Sequence, residues 1–141
     1  MATYVEHYAN QRFSLLSAAL AAAVTGQTSD PVRGLAGSKY IGLFAALTYG
    51  TGGTSANFIV QTSFDSGANW LDIASIAFAT GTSKKFHALV VSNVSNTTQT
   101  SGVLSANSLN QGIIGDELRV FWGNAGTYSA TTVVITAVAK G

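Results

Sequence analysis

Histidines and carboxylates are scarce in this chain, which narrows the chemistry it can perform. The histidines are His7 and His87; the carboxylates are Glu6, Asp30, Asp65, Asp72, Asp116 and Glu117. Ser83, His87 and Asp72 could be drawn as a relay for nucleophilic attack. A chain with 31 Ser and Thr permits many such drawings, and no nucleophile-elbow sequence surrounds this serine. His87 is therefore expected to be a structural or surface residue. Asp116 and Glu117 are neighbouring carboxylates of the kind that acid/base chemistry requires. On a strand, however, adjacent side chains face opposite sides, which is poor geometry for one substrate. The spacing of an EF-hand is missing, as is a close His pair for zinc. Cysteine is absent, which removes thiolate chemistry and disulfides. The glycine-rich stretch 50–54 is followed by no Lys and opens no helical pattern, so it is not read as a phosphate loop. Asn93 and Asn96 begin glycosylation-type triplets, a number close to the chance expectation in so hydroxyl-rich a chain. No catalytic residue, metal site or cofactor is expected, and the chain does not read as an enzyme.

The most informative stretch is residues 63–70, Ser-Phe-Asp-Ser-Gly-Ala-Asn-Trp, lying between two apolar-rich segments. It reads as a hairpin turn. Asp bonds backbone two residues on, and Gly takes positive φ without a Cβ clash. The spacing of Ser63, Asp65, Gly67 and Trp70 resembles the Asp-box of sialidases and other β proteins. That resemblance implies a carboxylate folded back onto turn amides, with the aromatic ring packed beneath: a folding device without catalysis.

These elements must be positioned by one domain, since 141 residues suffice for a sizeable single core. Hydrophobic residues make up 47% and charged residues only 9%, far below the usual share of about 25%. A surface of Ser, Thr, Asn and Gly with so few charges has weak protection against self-association, which suits packing among partners. The net charge of +1 gives no electrostatic case for nucleic acid or an anionic membrane. Lys84 and Lys85 are expected to be a solvated strand edge. The apolar run 13–24 resembles a signal-peptide core, but a long segment with offsetting Glu6 and Arg12 precedes it. It is also shorter than the roughly 20 residues a helical span needs. Neither export nor membrane insertion is expected.

Residues 1–13 read as an N-terminal arm ahead of a domain spanning 14–141. The arm's aromatics could dock onto a neighbour, or the arm could lie on its own domain. Segment 14–24 has helix-favouring Leu and Ala, yet a strand is preferred because everything downstream looks β. Residues 39–49 read as a strand with Tyr40, Leu43, Phe44 and Leu47 as core candidates. In 57–64, Phe58, Val60, Thr62 and Phe64 share one face. In 71–78, Leu71 and Ile73 share one face, and Ile76 and Phe78 the other. In 85–91, Phe86, Ala88 and Val90 oppose His87, Leu89 and Val91. Residues 92–116 break the rhythm, and loops of such length usually carry contacts. Strand character returns at 117–123, with Leu118, Val120 and Trp122 inward and Arg119 outward. The closing strand 128–139 is rich in Thr and Val. Trp70 and Trp122 both read as core residues by phase. The pattern predicts an all-β, single-domain antiparallel β-sandwich, jelly-roll or Ig-like, of about seven strands.

The stretch Phe-Ile-Val-Gln-Thr-Ser-Phe-Asp-Ser-Gly-Ala-Asn-Trp-Leu-Asp-Ile (58–73) resembles small virion proteins of tailed bacteriophages. So does Gly-Asp-Glu-Leu-Arg-Val-Phe-Trp (115–122), followed by a Gly-Thr-Tyr turn and a Thr/Val strand. In order of elements the resemblance covers about residues 39–139 through short, mainly structural motifs. It implies a β-sandwich on the virion, made in the host cytoplasm and acting as a capsid decoration or cement protein. Its partners would be the major capsid protein or other virion proteins, in multiple copies or as a homo-oligomer. Tyr4, Tyr8, Phe13, Val103, Leu104 and Leu109 are the expected contact residues. A rival expectation is a carbohydrate-binding or host-recognition module of a tail or fibre, using Tyr40, Tyr49 or Tyr128.

Overall fold

The computed structural model describes residues 10–35, 37–90, 104–110 and 112–141. The expected contact residues Tyr4, Tyr8 and Val103 lie outside them. Among the described residues the chain is all-β, with eleven strands in antiparallel sheets forming a sandwich and not a closed barrel. The strands are β1 (Asn10–Leu20), β2 (Val24–Thr28), β3 (Val32–Arg33), β4 (Tyr40–Thr48), β5 (Thr51–Gly52) and β6 (Ser55–Ser63). They continue as β7 (Leu71–Phe78), β8 (Ser83–Val90), β9 (Glu117–Ala125), β10 (Tyr128–Ser129) and β11 (Thr131–Lys140).

Sheet A has the order β1-β11-β4-β8; sheet B has β2-β9-β6-β7, with β3 also pairing β9; β5 and β10 form a small ribbon. Setting aside the two-residue strands β3, β5 and β10, eight strands remain. Counted one to eight along the chain, they alternate as 1-8-3-6 and 2-7-4-5, which is jelly-roll connectivity and not an immunoglobulin order. The last long strand thus pairs with the first.

Alternation places the core between the sheets. Ile41, Leu43, Ala45 and Leu47 of β4 meet Val133, Ile135, Ala137 and Ala139 of β11, all buried. From the facing sheet come Phe58, Val60, Leu118 and Val120. Trp122 keeps this phase and stacks on Phe58 at 5.8 Å, half-buried at the margin.

Segment 14–24 is mostly strand, as its context suggested, and a bulge explains its two-sided pattern. The register with β11 slips between Ser14 and Leu16. Phe13 and Leu15 point inward before the slip, and Leu16, Ala18 and Leu20 after it. A bulge is one inserted residue, and it reverses the inward phase downstream. β1 begins at Asn10, so Arg12 and Phe13 belong to sheet A and not to the expected arm. Phe13 is packed against the core.

Other phases differ from expectation for similar reasons. A second slip, opposite Val60 and Gln61, leaves Ile73 as the extra residue of β7, buried together with Ile76 and Phe78. Tyr40 and Phe44 lie on the outer face of sheet A, because inward positions of β4 start at Ile41. Phe64 falls just past the end of β6 and is exposed. Phe86 is also an outward residue, 74% exposed.

Candidate functional site

The turn between β6 and β7 is built from its own polar side chains. Ser63 Oγ accepts hydrogen bonds from the amides of Asp65 (3.3 Å) and Gly67 (2.9 Å), and donates to Asp65 Oδ1 at 2.9 Å. The Asp65 carboxylate also accepts from the Asn69 amide at 2.8 Å and from Asn69 Nδ2 at 2.7 Å. Gly67 sits at φ +87°, where a side chain would be strained. Trp70 Nε1 donates to the Gly67 carbonyl at 3.0 Å. Ser63, Asp65, Gly67 and Trp70 thus form one self-satisfied turn.

Hydrogen bonds from the Asn69 side chain and backbone, then from Ser63, hold the Asp65 carboxyl below its ordinary 3.8. A depressed carboxyl pKa stabilises the folded turn above the unfolded value, and that contribution is lost as pH falls through the folded one. Acidification through the range below 3.8 should therefore shift the Asp65, Gly67 and Asn69 amide resonances together. Titration of Asp65 at or above 3.8 in the folded protein would contradict this.

Trp70 is not an open ring. The Arg119 guanidinium lies over it at 4.2 Å. Arg119 Nε donates to Gln61 Oε1 at 2.8 Å, and Gln61 Nε2 donates to Asp72 Oδ1 at 2.7 Å. This ladder runs across the outer face of sheet B. Beside it is a shallow groove of about 420 Å3 lined by Asn57, Ile59, Gln61 and Phe121. Phe121 is 39% exposed.

The drawn relay is not assembled. Asp72 is on the outer face of sheet B with Gln61, whereas Ser83 and His87 belong to β8 in sheet A. Burial, with help from Lys85, pushes the His87 imidazole below its usual value, favouring the neutral ring. Nor do Asp116 and Glu117 make a catalytic pair. Glu117 is 3% exposed and is bound at 3.1 Å by Arg33 from β3. Among the described residues, no group of three His, Asp or Glu side chains gathers as a metal site. No helix among them is long and apolar enough to cross a membrane.

The described part of the long loop is committed to the domain's own edge. The Ser75 amide donates to the Ser108 carbonyl at 2.9 Å, and the Asn110 amide to the Ile73 carbonyl at 2.8 Å. These bonds bring Leu109 opposite Ala74 and pack it, half-buried, against the core. An otherwise open edge of sheet B is thereby covered. Leu109, expected as a contact residue, is thus half-buried against the core at this edge; Leu104 is half-buried at the start of this segment. Lys85 is also more than a solvated edge charge: its Nζ donates to the Ala77 carbonyl and to Asn107 Oδ1, tying β8 to β7.

Of the tyrosines considered for sugar stacking, Tyr128 is buried and donates to the Ala79 carbonyl at 2.9 Å. Burial, then Tyr49, raises its hydroxyl pKa. Tyr49 donates to the Gly52 carbonyl.

One concave surface among the described residues had no counterpart in the sequence reading. A groove of about 740 Å3 runs over the outer face of sheet A, lined by Tyr40, Gly42, Phe44, Phe86, Thr136 and Val138. The Phe44 and Phe86 rings lie 4.9 Å apart. Gly42 leaves the floor open, since a Cβ there would meet the Tyr40 ring at 3.1–3.2 Å. Arg12 and Lys140 stand at one end. Lys84 and Lys85 put a lysine on each phase of β8, so the sequence carried no signal for the outward turn of Phe86.

Comparison with protein-family models, curated proteins and solved structures finds no match.

Proposed function

We propose that this chain is a non-enzymatic structural protein of a tailed-phage virion, a decoration protein that binds the assembled capsid shell. One observation carries the reading. The two stretches that resemble small virion proteins lie side by side in sheet B, because β6 pairs with both β7 and β9. They form one continuous unit of a jelly roll, an architecture used by viral capsid and lectin domains. Fold alone does not assign function, so the weight rests on that unit together with the chain's 9% charge. A weakly charged, hydroxyl-rich surface loses little on desolvation against a polar interface. A protein that binds only the assembled shell stabilises that state by mass action. Residues 1–9 are the proposed contact, with Leu104 beside the described edge of the long loop.

Co-sedimentation with phage shells tests this. Saturable binding to expanded shells, and none to unexpanded precursors, is the expected result. Absence of binding to either would remove the decoration reading. The second reading, a saccharide-binding module, is favoured by Phe121 beside the Arg119–Gln61–Asp72 ladder. Aromatic stacking flanked by fixed hydrogen-bonding groups suits a sugar ring, and glycan screening would test it.

A further inference from the structure

Residues 104–110 grip the outer edge of β7 in a way unlike the ladders elsewhere in the fold. We propose that this segment is a strap: it leaves β7 as one unit while the two sheets stay closed, and so controls access to that edge of sheet B. The inference does not rest on the virion reading.

An ordinary strand satisfies its neighbour with main-chain amides and carbonyls. Among the described residues the strap's main chain makes two such bonds with β7. The Ser75 amide donates to the Ser108 carbonyl and the Asn110 amide to the Ile73 carbonyl, around a single bridge of Leu109 opposite Ala74. Side chains stand in for further ladder groups. Asn107 Oδ1 accepts from the Ala77 amide at 3.1 Å, and Asn110 Nδ2 donates to the Asp72 carbonyl at 3.1 Å. Lys85 Nζ donates to the Ala77 carbonyl and, at 3.0 Å, to the same Asn107 Oδ1. Lys85 belongs to β8, so this clasp ties the strap to both sheets. Asn107 reaches it at φ +59°, a conformation that asparagine tolerates better than most residues.

The grip is light for the length of chain it orders. Holding seven residues costs main-chain entropy. Leu109 is the strap's side chain packed against the core, and it is only half-buried; Ser105, Ala106 and Asn107 are exposed. The other edge of β7 is held by β6 through seven paired positions, from Ala56 to Thr62, with Phe58, Val60 and Ile76 fully buried. Segments with few buried apolar contacts and exposed hydrogen bonds open at lower free energy than the core they lie on. The strap therefore leaves before the sheet does. Its departure bares the main-chain groups of Asp72, Ile73, Ser75 and Ala77 together, the row that a sheet edge offers to another strand.

Native-state hydrogen exchange of the full chain, read by NMR in rising but sub-denaturing urea, tests this. Ser75 and Ala77 turn their amides to the strap, whereas the alternate residues Ala74 and Ile76 turn theirs to β6. The expected result is that Ser75, Ala77 and Asn110 exchange through one common opening, at least about tenfold faster than Ala74 and Ile76. That opening should depend little on urea, because it exposes little surface. Asn107→Gly removes the clasp and still accommodates the positive φ. It should speed all three amides by roughly two- to tenfold, the worth of one net hydrogen bond, and leave Ala74 and Ile76 unchanged. Exchange of the three only with global unfolding, at the rate and urea dependence of Ala74 and Ile76, would overturn the proposal. So would an Asn107→Gly effect confined to Ala77, whose own bond it breaks, since the segment would then not move as a unit.

Discussion

Removal of residues 1–9 is expected to abolish binding to expanded shells while leaving the β fold intact. The cut is placed by the structure. β1 starts at Asn10, and its ladder with β11 runs from Asn10 opposite Lys140 onward. A deletion through Arg12 would strip three residues from that ladder and mix lost contact with lost stability. A deletion ending at residue 9 removes no described pairing. If binding survives it, residues 1–9 are not the contact, and the segment carrying Leu104 becomes the remaining candidate.

Phe58→Ala should lower the unfolding free energy by about 3–5 kcal/mol, the range for emptying a buried aromatic site. Phe58 is fully buried on β6, the strand that joins both resembling stretches. Its ring stacks on Trp122 at 5.8 Å and meets Phe78 edge-on at 6.1 Å. Neither neighbour can collapse into the space without leaving its own strand. The loss should appear as a lower urea midpoint at unchanged m-value. Phe86→Ala is the control: the same chemistry on an exposed ring should cost under about 1 kcal/mol. Equal costs at the two positions would mean that the inward and outward phases are misassigned.

That pair also shows where the sequence was legible. In β11 alternation runs without interruption over ten residues, and in β6 and β9 it holds from Ser55 to Thr62 and from Leu118 to Phe121, so phase there separates core from surface. The 63–70 turn was equally legible, because its hydrogen bonds join residues no more than four apart. β1 and β7 were not, since a bulge in each changes which parity faces inward. A bulge is defined by the opposing strand, which in β1 lies more than a hundred residues away. The short β8 gave no means of choosing between two faces that both carry apolar residues. Leu109 looked like a loose loop residue until the ladder bonds of Ser75 and Asn110 placed it on the edge of sheet B.

By itself, then, the sequence determined what local physics controls: an all-β chain, its principal turn, the even strands and the scarcity of reactive groups. Tertiary structure alone decided what depends on distant pairing. It chose jelly-roll over immunoglobulin order, packed Phe13 and Leu109 against the core, separated Asp72 from His87, and assembled the sheet A groove from β4, β8, β11 and Arg12 of β1. The reason is one of range. A turn or an alternating face is encoded within a few residues, whereas a groove across four strands exists only after closure of the long loops has been offset by burial of the core between the sheets.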